Sequence, residues 1–136
     1  MYTHETKLRV RYGETDQMGF AYHGDYASWF EVARVEALRD LGFPYRRLEE
    51  DGVQLPVFEM HARFHAPARY DDALTIRTTI RELPGVRFTF HYEVYGPDDA
   101  LLTEASTTLV FMDRATRRPR RAPQELLDAL APYFSS

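Results

Sequence analysis

The stretch DQMGFAYHGDYASWFEVARVEALRDLG, residues 16–42, decides the fold because an irregular glycine-containing segment runs directly into the longest helical pattern of the chain. From Tyr26 onward, apolar side chains recur at the three-and-four spacing that places them on one face of an α-helix. They are Tyr26, Phe30, Ala33, Ala37, Leu38 and Leu41. Asp25 is the predicted N-cap and Gly42 the predicted left-handed residue after the last turn. The pattern predicts a helix of about 16 residues.

This helix is apolar on most of its circumference. Four further apolar residues lie outside the main stripe: Ala27, Trp29, Val32 and Val35. A helix of this kind is usually enclosed by other structure. Arg34 falls within the apolar stripe and therefore needs a partner. Glu31, three residues earlier, is the expected one.

Alternating apolar and polar residues predict strands on both sides of the helix. The predicted strands cover residues 6–12, 57–65, 74–81, 86–94 and 101–112. In the second of them, Phe58, Met60, Ala62 and Phe64 are expected on one face. Short links between successive strands favour an antiparallel meander, and residues 123–134 have helical spacing. The predicted class is α+β, with a curved sheet of about five strands around the helix.

Composition limits the possible functions. A chain of 136 residues fits one domain with a substantial core. The net charge of −4 argues against nucleic acid as the main partner. The absence of cysteine removes disulfides, cysteine nucleophiles and thiolate metal sites. The first seven residues have no signal-peptide pattern and no segment has the length to span a bilayer, so we expect a cytoplasmic protein without membrane contact.

No metal site is expected either. His61 and His65 have the spacing of a metal pair only if they lie on a helix. On the predicted strand, four residues span about 13 Å, so the two rings cannot bind one ion.

The segment before the helix resembles a known family. The similar text is RYGETDQMG at 11–19, YHGDY at 22–26 and FEVAR at 30–34, with further similarity at 55–57, 67–72, 111–113 and 121–123. Together these segments resemble the acyl-CoA thioesterases of the hot-dog fold, specifically the 4-hydroxybenzoyl-CoA thioesterase family. The similarity covers nearly the whole chain, so one hot-dog domain over residues 1–136 is expected.

The resemblance implies a hydrolase that acts on acyl-CoA and needs no cofactor. It also implies that the sheet wraps the helix and that two subunits pair into one continuous sheet. Active sites would then lie at the interface of a homodimer, or of a homotetramer built from two dimers. The acyl group, aliphatic or aryl, is left open.

Two catalytic groups are implied by the same resemblance. Asp16 matches the family's catalytic carboxylate, acting as nucleophile or as general base on water. The backbone N–H at His23 matches the group that polarises the thioester carbonyl, and a helix N-terminus supplies the positive potential that an oxyanion needs. The competing interpretation is that Asp16 only caps its turn. The His23 side chain either orients a water or substrate or is simply a partly buried histidine.

Substrate-binding candidates surround this junction and extend beyond it. Near the junction they are Gly19, Tyr22, Gly24 and Glu31. Glu31 matches the position at which one hot-dog branch carries its catalytic carboxylate, although an ion pair with Arg34 is the preferred interpretation. Arginine suits the phosphates of coenzyme A, and the candidates are Arg63, Arg69 and Arg118, the last from a loop with four further arginines.

Two other functions remain open on the sequence. A hydroxyacyl-thioester dehydratase on the same fold would favour a catalytic histidine and an aspartate or glutamate across a longer helix-start motif, which the spacing from Asp16 through Gly19 to His23 fits poorly. A non-catalytic acyl-CoA-binding module would make Asp16 dispensable.

Overall fold

The structure is a computed structural model that describes residues 1–134. Its helices are α1 (Tyr26–Asp40), α2 (Tyr45–Glu50) and α3 (Gln124–Leu130). Its strands are β1 (Tyr2–Arg9), β2 (Val53–Gln54), β3 (Val57–Phe64), β4 (Ala73–Ile80), β5 (Arg87–Tyr95), β6 (Leu101–Val110) and β7 (Met112–Asp113). None of these helices has the length and apolar character of a membrane-spanning segment.

The main sheet has five antiparallel strands in the order β1, β4, β5, β6, β3. The predicted strand number is confirmed, whereas the simple meander is wrong because only β4, β5 and β6 follow one another. The link at residues 65–72 carries the chain from the edge strand β3 to β4. Its eight residues reach up to about 26 Å when extended, enough to pass three strand spacings of about 4.8 Å. We call residues 65–72 the crossing segment.

The core lies between α1 and one face of the sheet. The central strand β5 alternates, with Phe88, Phe90, Tyr92 and Val94 buried. Phe30 of α1 stacks on Tyr92 with ring centroids 4.5 Å apart. Burying each such side chain contributes about 1.5–3 kcal/mol, so this packing fixes α1 across the sheet.

Both ends of α1 match the predicted bounds. Gly42 has φ +87°, its N–H donates to the Arg39 carbonyl, and the Phe43 N–H donates to the Leu38 carbonyl. Asp25 is the N-cap residue but makes no side-chain capping bond, because a 3₁₀ turn over His23–Asp25 leads into the helix. The helix start therefore has no side-chain cap at either Tyr22 or Asp25.

The predicted pairing of Arg34 with Glu31 is wrong. Arg34 is buried and its Nε donates to the Tyr45 hydroxyl at 3.0 Å. Across residues 1–134, no carboxylate lies within 4.0 Å of the Arg34 guanidinium, and Glu31 is exposed. Tyr45 reaches Arg34 because α2 folds back beside α1, which local helix spacing does not predict.

The first, second and last predicted strands differ from the strands in the structure. The first begins at Tyr2, which is buried, and ends before Tyr12, which is 78 % exposed in a 3₁₀ turn. In β3, a register irregularity between Val57 and Glu59 turns Phe58 away from Met60. The Phe58 ring instead lies 4.9 Å from the Arg87 guanidinium. Such a bulge reverses the facing of the residues before it.

The last predicted strand divides at Phe111. Its first part is β6, in the main sheet, and its second part is β7, which pairs with β2. The split removes the chain from the main sheet just before the arginine-rich loop.

Candidate active site

Asp16 stands at the base of a tight reversal over residues 16–20. Its N–H donates to the Phe20 carbonyl at 2.9 Å, and its own carbonyl accepts from the Gly19 N–H at 3.0 Å. Thr15 and Ala21 pair on either side. Gly19 has φ +84°, a conformation that residues with a Cβ adopt only with strain. The glycine is therefore required by the turn that presents Asp16.

The crossing segment anchors this turn. The Ala21 N–H donates to the Ala68 carbonyl at 2.8 Å, and Phe20 pairs with Arg69. The Arg69 guanidinium lies 5.1 Å from the centre of the Phe20 ring. Because Ala68 is fully buried, the turn is fixed to the body of the protein, and Arg69 is placed beside Asp16's turn.

The Asp16 carboxylate is half-buried, and its Oδ1 accepts the Met18 N–H at 2.9 Å. The turn-capping interpretation of Asp16 is thus correct for one oxygen. Within the part of the chain that the structure describes, Oδ2 makes no hydrogen bond. A carboxylate with one oxygen held and the other free is oriented and still able to accept a proton.

The start of α1 presents main-chain donors next to this segment. The Tyr22 N–H donates to the Glu14 carbonyl at 2.7 Å, and the Asp25 N–H donates to the Tyr22 carbonyl at 3.0 Å. The His23 and Gly24 amides precede this first helical bond, as the first N–H groups of a helix do. The His23 side chain is exposed, so its interpretation as a partly buried histidine is wrong.

Tyr22 and Gly24 form a close contact. A Cβ at Gly24 would lie 2.4 Å from Cε2 of Tyr22, so only glycine lets this ring fold over the chain. The Tyr22 ring also lies 4.6 Å from the His23 ring and is 47 % exposed. Tyr26, by contrast, is a core residue whose ring stacks on Trp29 at 4.5 Å and contacts Phe64 at 4.9 Å.

Three predicted site residues lie on other elements than the Asp16 turn and the 3₁₀ turn before α1. Glu31 is exposed on the second turn of α1, about 7.5 Å along the axis from Tyr26. Arg63 is aligned with Glu104, on the sheet face opposite the buried side chains. Arg118 lies at the other end of β3, a strand about 23 Å long. Within residues 1–134, none of these three side chains forms a hydrogen bond or an ion pair with Asp16.

Arg118 belongs to a turn organised by an acidic residue. The Asp113 N–H donates to the Arg118 carbonyl at 2.9 Å. Asp113 Oδ1 accepts the N–H groups of Ala115 and Thr116, and these bonds lower the Asp113 pKa. We call residues 114–121 the arginine loop; all its arginines except Arg120 are exposed. The arginines therefore lie on a turn whose backbone is fixed by hydrogen bonds to the Asp113 carboxylate.

Sequence reasoning missed Glu14, which is buried with only 6 % of its surface exposed. Its carboxylate accepts the Trp29 indole N–H at 2.8 Å and the Arg11 backbone N–H at 2.7 Å. The available signal was its position two residues before Asp16 in the quoted motif. Spacing alone does not predict its partner Trp29, fifteen residues later.

Metal-binding side chains do not cluster here. Residues 1–134 contain no group of three or more histidine, cysteine, aspartate or glutamate side chains arranged to hold an ion.

A five-stranded antiparallel sheet wrapped around one long helix is the hot-dog fold. Residues 10–130 match the Thioesterase-like superfamily. The chain is 33 % identical over 119 residues to the putative acyl-CoA thioesterase YneP of Bacillus subtilis, covering 88 % of this chain and 86 % of that one. It is 34 % identical over 120 residues to the acyl-CoA thioester hydrolase YbgC of Escherichia coli, covering 88 % and 90 %.

A solved structure agrees with these matches. DHNA-CoA thioesterase of Staphylococcus aureus superposes with a TM-score of 0.86 at 33 % identity, covering 98 % of this chain and 85 % of that one. The chain therefore belongs to the thioesterase-like superfamily of hot-dog proteins, and the resemblance found in the sequence is confirmed.

Proposed function

We propose that the protein is an acyl-CoA thioesterase in which Asp16 and the His23 backbone N–H act on one thioester. The observation that carries the proposal is the junction itself. The Asp16 turn and the start of α1 are joined through Glu14 and Tyr22. Among residues 1–134, one Asp16 carboxylate oxygen and the His23 and Gly24 N–H groups have no hydrogen-bond partner. Family membership and the named relatives support the reaction.

Hydrolysis at this junction needs a base and an oxyanion site. Asp16 takes a proton from water, which attacks the carbonyl carbon, or its carboxylate attacks directly and the resulting anhydride is then hydrolysed. In both routes the carbonyl oxygen gains negative charge, the C–S bond breaks, and coenzyme A leaves as the thiol after protonation. The His23 N–H and the positive end of α1 stabilise the oxyanion, and the helix end contributes about 0.3–1 kcal/mol at exposed positions.

The nearby residues bind the rest of the substrate in this proposal. Gly19 and Gly24 keep the backbone close to the thioester, and Tyr22 forms a wall of the acyl pocket. Arg69, beside the Asp16 turn, is the arginine best placed to meet a coenzyme A phosphate in the same subunit. Glu31 lines the acyl path one turn further along α1.

The edge strand β3 supports a homodimer. Within the described residues 1–134 it pairs with β6 alone, and its apolar side chains Val57, Phe58, Met60 and Phe64 are 43–57 % exposed. An unpaired edge with exposed apolar residues on both faces is a template for strand pairing. We propose that β3 pairs antiparallel with β3 of a second copy, giving one continuous sheet. Two such dimers would make a tetramer.

This pairing explains how Arg118 reaches a substrate. In an antiparallel pair, the Val57 end of one strand lies beside the Phe64 end of the other. The arginine loop lies at the Val57 end of β3, whereas the start of α1 contacts the Phe64 end. The pairing therefore brings the arginine loop of one subunit toward the active-site junction of its partner. Arg63 lies on the outer sheet face near the same edge and is the weaker candidate for binding coenzyme A.

We also propose that the protein is cytoplasmic and that residues 1–136 form one domain.

The first experiment measures thiol release from a panel of aliphatic and aryl acyl-CoAs that includes DHNA-CoA. Asp16→Asn should lower kcat by about 10² to 10⁴ while ligand binding persists. Asp25→Asn is the matched control, because Asp25 makes no side-chain capping bond. Unchanged turnover in Asp16→Asn would remove Asp16 from the mechanism. Hydration of an enoyl-CoA without thiol release would instead favour the dehydratase, and binding without turnover the binding module.

A second experiment separates the His23 backbone from its side chain. His23→Ala keeps the N–H and should retain turnover within about tenfold. His23→Pro deletes the N–H at the first position of a helical turn, where proline is tolerated. Tyr22, at φ −68° and ψ 131°, already has the conformation that precedes proline. A loss of about 10² to 10³ in kcat for the proline variant alone supports the oxyanion role.

A further inference from the structure

Glu14 links three segments that meet at the proposed active site. Its carboxylate accepts the Arg11 backbone N–H at 2.7 Å, at the end of the first strand region. Its Oε2 accepts the Trp29 indole N–H at 2.8 Å, on the first turn of α1. Its own carbonyl accepts the Tyr22 N–H at 2.7 Å. One residue therefore connects the chain before Asp16, the chain before His23 and the helix.

The carboxylate of Glu14 is charged at neutral pH. Burial acts to raise the Glu14 pKa, but the hydrogen bonds from Arg11 and Trp29 outweigh burial and hold the pKa below its ordinary value. The Arg11 guanidinium, 3.2 Å from Oε2, is largely exposed and supplies the compensating charge. Hydrogen bonds to an ionised acceptor are about twice as strong as neutral ones, so this connection is stiff.

Glu14 lies close in the chain to Asp16 and bonds to the residue before His23, so its hydrogen bonds affect the geometry of both proposed catalytic groups. Asp16 follows two residues later, and its turn closes at Ala21, next to Tyr22. His23, the proposed oxyanion donor, follows Tyr22 directly. The Asp16 carboxylate and the His23 N–H must converge on one carbon. The bonds of Glu14, including the one to Trp29, fix the segments that carry these two groups. A displacement of about 1 Å between such groups is enough to lower a rate about 100-fold.

We infer that Glu14 is a positioning residue that sets the geometry between the Asp16 turn and the start of α1, with Trp29 as its anchor on the helix. The inference rests on the proposed function for its effect on turnover. Its structural half, the fixing of the two segments, stands independently of which reaction they perform.

Glu14→Gln is the central variant. The carboxylate receives three N–H donors, whereas the amide offers one acceptor oxygen and turns an NH₂ toward the remaining donors. Trp29→Phe removes one donor and keeps an aromatic ring beside Tyr26. Glu36→Gln is the matched control, since Glu36 lies on α1 and, among residues 1–134, forms its one ion pair with Arg39 at 3.3 Å.

Turnover should separate positioning from general instability. Glu14→Gln should lower kcat by about 10- to 100-fold with KM for acyl-CoA within about threefold, while Glu36→Gln changes neither. In the Asp16→Asn background, Glu14→Gln should lower the residual kcat by less than about threefold, because the carboxylate whose position relative to the His23 N–H depends on Glu14 is gone. Equal loss in both backgrounds, or an unchanged kcat in Glu14→Gln, overturns the positioning role.

Two readouts test the geometry without turnover. Trp29 is the only tryptophan, so its fluorescence emission should shift in Glu14→Gln and not in Glu36→Gln. Amide hydrogen exchange should show lost protection at Tyr22 and Asp16 in Glu14→Gln, with the centre of β5 still protected. If the wild type releases no thiol from any acyl-CoA, the proposed function fails. Retained protection of the Tyr22 amide in Glu14→Gln would overturn the Glu14 inference, whatever the wild type's activity.

Discussion

The Nε atom of Arg34 donates to the Tyr45 hydroxyl at 3.0 Å, and this bond joins the middle of α1 to the first residue of α2. Burial acts to lower the Arg34 pKa, but electrostatic interactions and hydrogen bonds with Tyr45 and Tyr92 outweigh burial and raise the pKa. The guanidinium therefore stays charged inside the core, with hydroxyl oxygens in place of a carboxylate. A buried cation held in this way depends strongly on each acceptor.

Tyr45→Phe should destabilise the protein by about 1–3 kcal/mol, because it leaves a buried guanidinium N–H without its acceptor. Urea unfolding of the variant and the wild type measures the difference. Tyr70→Phe, at a tyrosine that is 56 % exposed, should stay within about 0.5 kcal/mol of the wild type. Equal stabilities for the two variants would contradict the importance of the bond.

Gly19→Ala should cost about 1–2 kcal/mol, because φ +84° at this position brings a Cβ too close to the following carbonyl oxygen. Thiol release should fall as well, since the turn carries Asp16. Gly13→Ala is the control, because Gly13 lies outside the left-handed region and an added Cβ there meets no atom within 4 Å. If Gly19→Ala and Gly13→Ala lose similar amounts of stability and thiol release, the positive φ at Gly19 is not the cause.

Gly24→Ala should raise KM for acyl-CoA, because the new Cβ displaces the Tyr22 ring that lies 2.4 Å from its position. The test is a double-mutant cycle on kcat/KM. In a Tyr22→Ala background, where the ring is absent, Gly24→Ala should have little further effect. Additive losses would mean that Gly24 is needed for another reason.

Acid should remove the stabilisation that Glu14 provides. Its folded pKa lies below the ordinary value of 4.5, so the contribution is fully present above about pH 4.5 and is lost as pH falls through the folded pKa. Urea midpoints of wild type and Glu14→Gln, compared between about pH 7 and pH 3, should therefore converge on the acid side. A constant difference over that range would show that the Glu14 charge does not contribute.

Met60→Lys should weaken dimerisation by roughly 2 kcal/mol or more, about 30-fold in the dissociation constant, because it buries an ammonium group at the proposed β3 pairing. Met60 is 43 % exposed in one chain. Sedimentation velocity and thiol release measured together test the pairing, with Leu83→Lys, outside β3, as control. A monomeric wild type, or a dimeric and active Met60→Lys, would contradict it.

Sequence periodicity predicted the parts of the fold that depend on local burial. The α1 bounds, the left-handed Gly42 and the alternating burial in β4 and β5 follow from neighbours within a few residues, which spacing records. The Asp16 turn was found because its motif is continuous in the chain. The arginine loop was recognised from its composition. The role of Asp113, the residue before the loop, was not predicted.

The sequence by itself determined a long enclosed helix, about five strands and a carboxylate just ahead of a helix start. Tertiary structure decided that β3 lies at the sheet edge, that Arg34 bonds to Tyr45 and not Glu31, and that Glu14 bonds to Trp29. Those contacts join residues far apart in the chain, and no periodicity records a contact of that kind. Packing of α1 against the sheet and α2 brings Arg34 to Tyr45 and Trp29 to Glu14, so these partners are set by how the elements pack.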